Sequence, residues 1–431
     1  MEVHKDNKYH LTKQFSLMVA SAYLFVTIFL FIFPVFFNRN GKMEYPRYIP
    51  ENKTIGHDFE IDYKFAQRYL VEHKSAYISD DPEHWYAGNP YPPIFTLYLA
   101  PLFWFHIPQI TGYYILAGLI LLSYLIGTIV LPLIYQSDHS LSAGALFVAI
   151  TGITSYGMQF ALERGQFDLL AMAFSTTAVY LFWFKPKARW LSYVLLLIAF
   201  EFKIYPILFS ILFIDDLKRP KKSLIRVGGL CLIAFASLFA MGIQGFNEFL
   251  RSLTSQGGLL YARDHGFLNG VSFFLEAINL PHTYRVTWIV SFFLGVIGLF
   301  SLFLIMKDYI NQRKIITFFP PLFLWCTLAV MIFFPASKDY KLAILCFAMA
   351  PYLIYLENRI TQIGRSNIYI SVLIFFLVVA YSSTLYSWVY RPVVIQNSFI
   401  MLYSIVLILP AIEILLNKNT HEVSYPPIQQ L

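Results

Sequence analysis

Apolar runs recur along almost the whole chain, and several reach the roughly 20 residues that cross a bilayer, because about 30 Å of hydrocarbon is spanned at about 1.5 Å per helical residue. Runs of this kind occupy residues 15–37, 112–134, 168–184, 227–243, 286–306, 315–334, 342–356, 368–390 and 398–416. The first is too long for a cleaved signal segment and is followed by Asn38-Arg39-Asn40, which offers no small-residue cleavage site. It reads as a retained helix with the N-terminus in the cytoplasm.

Only 13% of the 431 residues are charged, and 58% are hydrophobic. Soluble domains carry roughly 25% charged residues, so a water-soluble enzyme, a disordered chain and a nucleic-acid-binding protein are all excluded. The net charge of +7 sits mostly in short loops between apolar runs. Cys231, Cys326 and Cys346 all lie inside such runs and form neither a disulfide framework nor a zinc spacing.

The basic loops set the orientation. Lys185/Lys187/Arg189, Lys218/Arg219/Lys221/Lys222/Arg226, Lys307/Arg313/Lys314 and Arg359/Arg365 read as cytosolic, because positive charge is retained on that side of a membrane. Residues 38–93 then form a first outside loop with juxtamembrane helices, and residues 244–285 a second, within a single integral membrane domain spanning 1–431. With about 20 residues per crossing, the total comes to about twelve helices, all α, with both termini cytoplasmic.

Two stretches depart from simple crossings. Roughly two dozen apolar residues separate Arg189 from Lys218, too few for two full spans, and Glu201-Phe202-Lys203 followed by Tyr205-Pro206 interrupts them near the middle. This predicts a re-entrant pair of short helices around Lys203, a broken element tolerated at membrane depth where it faces protein or a water-filled cavity. Of the three apolar stretches within 94–156, one fails to cross, and 94–107 is the shortest.

Ionisable residues at membrane depth cost about 2.5–3.5 kcal/mol each and so mark candidate sites. They are Glu163, Arg164 and Asp168 around Gly165-Gln166, then Glu201 and Lys203, then Lys338, Asp339 and Lys341 beside Tyr340. Two lysines opening a helix are well placed to hold a phosphate. The first outside loop adds His57-Asp58, Glu60 and Asp62 on a stretch whose apolar spacing reads as an amphipathic helix on the membrane surface. A carboxylate at the position of Asp58 is commonly a helix N-cap. Asp80-Asp81-Pro82 reads as a turn rather than a metal site.

These motifs, with Tyr91-Pro92-Pro93 and Asn269-Gly270-Val271-Ser272, occur in an order that resembles the polytopic glycosyltransferases of the GT-C fold, specifically family 87, whose characterised members are mannosyltransferases using polyprenyl-phosphate-linked mannose. The resemblance runs from about Asp58 to Pro351. It implies an inverting transfer of a hexose from a polyprenyl-phosphate donor to a hydroxyl of a glycolipid or glycan. Asp58 would be the general base, with Asp62 the alternative. Lys203, Lys338, Lys341 and Arg164 would hold the donor phosphate, and His57, Tyr91, Gln166, Asp168, Asn269, Asp339 and Tyr340 the substrates. It implies no cofactor and no metal beyond the lipid-linked donor, a bilayer as partner, no nucleic acid, and a site on the outer face of the plasma membrane. Departures fall at Asp168, where the family often has Asn, at Asn269-Gly270-Val271-Ser272, and at 337–341, which leaves the sugar open. A multi-pass transporter or flippase of a lipid-linked or anionic substrate is the competing function, although the second half shows no repeat of the Lys203 break.

Overall fold

In a computed structural model of the chain, the described residues are 56–78, 89–135, 143–153, 156–215, 220–257, 271–272, 275, 279, 284–312, 319–333 and 339–363. The expected helices at 15–37, 368–390 and 398–416 lie outside them, as do Asp80, Asp81, Asn269 and Lys338. Among the described residues all regular structure is helical.

The order is α1 (His57–Leu70), α2 (Phe95–Tyr98), α3 (Ala100–Trp104), α4 (Gln109–Leu125), α5 (Leu131–Tyr135), α6 (Ala143–Ile153), α7 (Tyr156–Arg164), α8 (Asp168–Phe184), α9 (Arg189–Phe202), α10 (Pro220–Ser237), α11 (Gly242–Gly257), α12 (Tyr284–Gln312), α13 (Phe319–Phe333) and α14 (Leu345–Ile363). Two helical stretches, Gln109–Tyr135 and Arg285–Lys307, are long and apolar enough to cross a bilayer, or three if one bent pair is counted. The expected runs 112–134 and 286–306 fall within these two. The expected twelve include segments outside the described residues, and within these several inner helices are too short for a full crossing. The stretch Phe95–Trp104, which holds α2, Leu99 and α3, spans ten residues, about 15 Å of helix and half a crossing.

α8, α13 and α14 form the interior. Leu169, Met172, Tyr180 and Phe182 of α8, Phe323 and Leu328 of α13, and Phe347 and Leu353 of α14 are fully buried. Large apolar side chains of α10 and α12, among them Leu232, Phe235, Phe292, Phe293 and Phe300, are exposed instead, an arrangement suited to lipid and costly in water. Pro132 lacks the N–H that would continue the helix, and the turn before it widens to a π-helical segment, Ile126–Val130.

The break at Lys203 is where the sequence places it. α9 stops at Phe202, Lys203 is extended, and a 3-10 segment, Tyr205–Phe213, follows. The second arm is thus 3-10 rather than α. Pro206 disfavours the α conformation at Tyr205 and supplies a preset first turn. The two arms return to one level: Asp215, just past the second arm, accepts hydrogen bonds from Arg189 at 2.9 Å, Arg226 at 2.5 Å and Ser223 at 2.8 Å. Burial alone would raise the Asp215 carboxyl, but the Arg226 and Ser223 hydrogen bonds and the two arginine charges hold it below its usual range.

The expected span 227–243 is not one helix. α10 and the following helix meet at 97° across a short break, and Gly242 takes φ +76° at the start of α11. α11, most of which falls within the expected second outside loop, turns away from α10 and packs Phe249 against Ala76 and Tyr77, a small second core distinct from the main one.

Candidate active site

The first turn of α1 is pinned to the turn between α7 and α8. The Gly56 N–H donates to the Glu163 carbonyl at 2.8 Å. Gly56 and Gly165 both adopt the left-handed conformation, φ +78° and +71°, and a Cβ on Gly165 would stand 2.8 Å from the Cβ of Phe59. This close approach sets Asp58 above the turn, where its two carboxylate oxygens meet the side-chain amide of Gln166 and the guanidinium of Arg164. Asp58 is therefore not a cap: the N-cap residue is Gly56, with no side-chain capping bond.

A second charge pair lies deeper. Lys203 Nζ stands 3.2 Å from Asp168 Oδ2, with the Asp168 side chain fully buried. The contact is charge pairing without hydrogen-bond geometry, since neither Asp168 oxygen has a hydrogen-bond partner among the described residues. The same ammonium lies 4.1 Å from the centroid of the Tyr91 ring, an attractive placement for a cation. The Tyr91 hydroxyl reaches Gln166 Oε1 at 3.5 Å, and Asn89 accepts from the Tyr91 N–H at 3.0 Å. Tyr205 donates to the Asp168 carbonyl at 3.1 Å, and Lys341, itself buried, lies 5.6 Å over the Tyr205 ring.

Asp62, one turn after Asp58, is 3% exposed, and its Oδ2 finds no hydrogen-bond partner among the described residues. Burial pushes its carboxyl up to about 8, with Asp58 and Asp168 adding to the rise and Lys203 and Tyr91 opposing it. Asp58, Gln166, Tyr91, Lys203, Asp168, Tyr205 and Lys341 so form one line of contacts, with Arg164 and Asp62 beside it.

Of the candidate residues, Asp58, Asp62, Tyr91, Arg164, Gln166, Asp168, Lys203 and Lys341 are brought together. His57 begins α1 next to Asp58 and is half-buried. Asp339 and Tyr340 share the 3-10 segment Asp339–Ile344 with Lys341; Asn269 and Lys338 lie outside the described residues. Sequence reasoning missed Asn89 and Tyr205. Tyr205 acts through the Asp168 carbonyl and Asn89 through the Tyr91 N–H, backbone partners that their own positions in the sequence do not indicate. Among the described residues no group of three or more His, Cys, Asp and Glu side chains could hold a metal ion.

Helices long and apolar enough to cross a membrane, with charges gathered at one end of a buried bundle, define a membrane protein built around a polar site. The model of glycosyltransferase family 87 matches residues 89–335, more than half of the chain, and the protein belongs to that family. It is a glycosyltransferase, moving a sugar from a donor to an acceptor. No curated protein matches the chain. The matched stretch includes Tyr91, Arg164, Gln166, Asp168 and Lys203, whereas Asp58 and Asp62 precede it and Lys341 follows.

Proposed function

We propose that the protein is an inverting hexosyltransferase that moves mannose from a polyprenyl-phosphate-linked donor to a hydroxyl of a membrane-associated glycolipid or glycan on the outer face of the plasma membrane. The observation that carries this reading is the unbroken line of contacts from Asp58 to Lys203 and Lys341. It joins a candidate base to a set of cations. Sidedness supports it as well: Lys203 and Arg189 stand at opposite ends of α9, about 20 Å apart by helical rise, and Lys185, Lys187, Arg189 and Arg226 mark the Arg189 end as cytosolic.

In this reaction the acceptor oxygen attacks the anomeric carbon as the carbon–oxygen bond to the donor phosphate breaks. Asp58 takes the hydroxyl proton, with Arg164 and Gln166 fixing the direction of its oxygens, a general-base contribution of about 10²- to 10⁴-fold. The phosphate gains negative charge as it leaves, and Lys203, Lys341 and Arg164 offset it from fixed positions in a site of low dielectric. A single displacement inverts the anomeric configuration.

The test is transfer in proteoliposomes containing a polyprenyl-phosphate mannose donor and an envelope glycolipid extract as acceptor. Asp58→Asn should lose about three orders of magnitude in rate while remaining folded. Transfer at the wild-type rate would remove Asp58 from the reaction.

A further inference from the structure

Asp62 is unlike the other carboxylates of the site. Asp58 is matched by Arg164 and Gln166, and Asp168 by Lys203. Asp62 is buried like Asp168, but no cation stands within ion-pair distance of it among the described residues, and its Oδ2 has no hydrogen-bond partner there. On α1 it is four residues from Asp58, which places both on one face of the helix. Its surroundings include Tyr91 and the ammonium of Lys203.

Resting on the reading of Lys203 as the donor-phosphate ligand, we propose that Asp62 works as a neutral carboxyl whose O–H donates a hydrogen bond to a non-bridging oxygen of the donor phosphate. A buried oxygen with no partner needs one, and an anion placed beside Lys203 supplies an acceptor. The charge balance favours this form. Ionised, Asp62 would make a third carboxylate with Asp58 and Asp168 against Arg164, Lys203 and Lys341, and an entering phosphate would then leave the site with excess negative charge. Carrying its proton, Asp62 removes one negative charge and adds a donor. The role differs from that of a base: Asp62 keeps its proton through the transfer and loses it only in alkaline solution.

Few other groups could produce the same pH dependence. Those acting on Asp62 are Asp58 on its own helix, Tyr91, Asp168 at the head of α8, and Lys203. Among the elements packed against α1, α7 contributes Glu163 and Arg164, while α2, α3 and α4 carry no acidic or basic side chain and only the phenols Tyr98, Tyr113, Tyr114 and Tyr124.

The experiment measures binding of a polyprenyl monophosphate, and separately the donor KM and kcat, to the full-length protein in proteoliposomes from pH 6 to 9. Wild-type affinity should fall about tenfold per pH unit above the point where Asp62 ionises, the limit for release of a single proton. Asp62→Asn retains a donor but cannot ionise; it should bind about threefold more weakly at pH 7 and lose the alkaline decline. Asp62→Ala should raise the donor KM about thirtyfold, within the range for deleting a hydrogen bond to a charged group. Inorganic phosphate as competitor separates recognition of the phosphate alone from recognition of the lipid: competition that weakens in parallel above pH 8 supports the phosphate contact.

Wild-type binding that is flat from pH 6 to 9 overturns the proposal. So does an Asp62→Asn protein that binds polyprenyl phosphate normally with the wild-type alkaline decline but transfers no sugar, which would make Asp62 the base. If Asp62→Ala does not fold, the wild-type and Asp62→Asn profiles decide. A fully active Asp58→Asn would refute the proposed chemistry without touching these binding profiles.

Discussion

Lys203 stands 3.2 Å from the buried carboxylate of Asp168, directly over the ring of Tyr91. Its position depends on a helix that ends one residue too early for it: α9 stops at Phe202, and the extended backbone of Lys203 turns the side chain towards α8. Lys203→Ala leaves Asp168 buried without its cation, which should cost about 3–5 kcal/mol of stability. Lys203→Met combined with Asp168→Asn removes both charges and should recover most of that loss while still failing to bind polyprenyl phosphate. Thermal unfolding in detergent with a parallel binding assay checks both. Equal stability of Lys203→Ala and the double variant would show that the pair carries no coupling.

Gly165 allows α1 to approach the α7–α8 turn. A methyl group there meets the Cβ of Phe59, which cannot rotate away, and φ +71° is itself unfavourable for alanine. The strain should destabilise by about 1–3 kcal/mol. Displacing Asp58 by about 1 Å should lower kcat about 100-fold. Gly229→Ala is the control, since a Cβ there meets open space on α10. If Gly165→Ala retains wild-type kcat, the positioning argument fails.

The buried carboxyl of Asp62 also makes stability depend on pH. Folded, it holds its proton up to about 8, whereas the unfolded chain releases it near 3.8. Between those values the folded state binds more protons than the unfolded state, so stability falls as pH rises. The contribution is complete below about 4, declines through neutrality and levels off above about 8. Asp62→Asn should abolish this slope, so its melting temperature should gain on that of wild type between pH 5 and 9. Parallel melting curves across that interval would sink the assignment.

Much of the site was legible because charge is rare in this chain: Arg164, Asp168 and Lys203 stand out against apolar neighbours, and their order carried the family resemblance. Tyr205 did not stand out, being one of 30 tyrosines, and its role depends on a carbonyl of α8 that the local sequence does not indicate. The bend between α10 and α11 was hidden for a related reason. Residues 227–243 form an unbroken apolar run with no proline, and hydropathy measures length without direction; Gly242, at positive φ, is the one local sign of the turn. Burial of α8 was equally invisible, because an apolar helix facing lipid and one facing protein have the same composition.

The α11 helix should influence donor binding without touching the charges. Ser252 donates to the Asn89 carbonyl at 3.0 Å and Tyr77 to the Tyr91 carbonyl at 3.1 Å, so two hydrogen bonds tie the segment bearing Tyr91 to α11 and to the chain that follows α1, and a third, from Ser75 to Glu248 at 2.5 Å, ties that chain to α11. Burial, reinforced by the charges of Glu201 and Glu248, pushes the Tyr77 phenol well above its usual range, and it stays a donor throughout the working pH range. Tyr77→Phe leaves the Tyr91 carbonyl buried without that donor, a loss of about 1–3 kcal/mol. The Tyr91 ring should then move freely beneath Lys203, raising the donor KM about tenfold with a smaller change in kcat. Amide hydrogen exchange should rise at residues 89–95 and stay unchanged in α13. An unchanged KM together with faster exchange at 89–95 would show that Tyr91 does not position Lys203 for the donor.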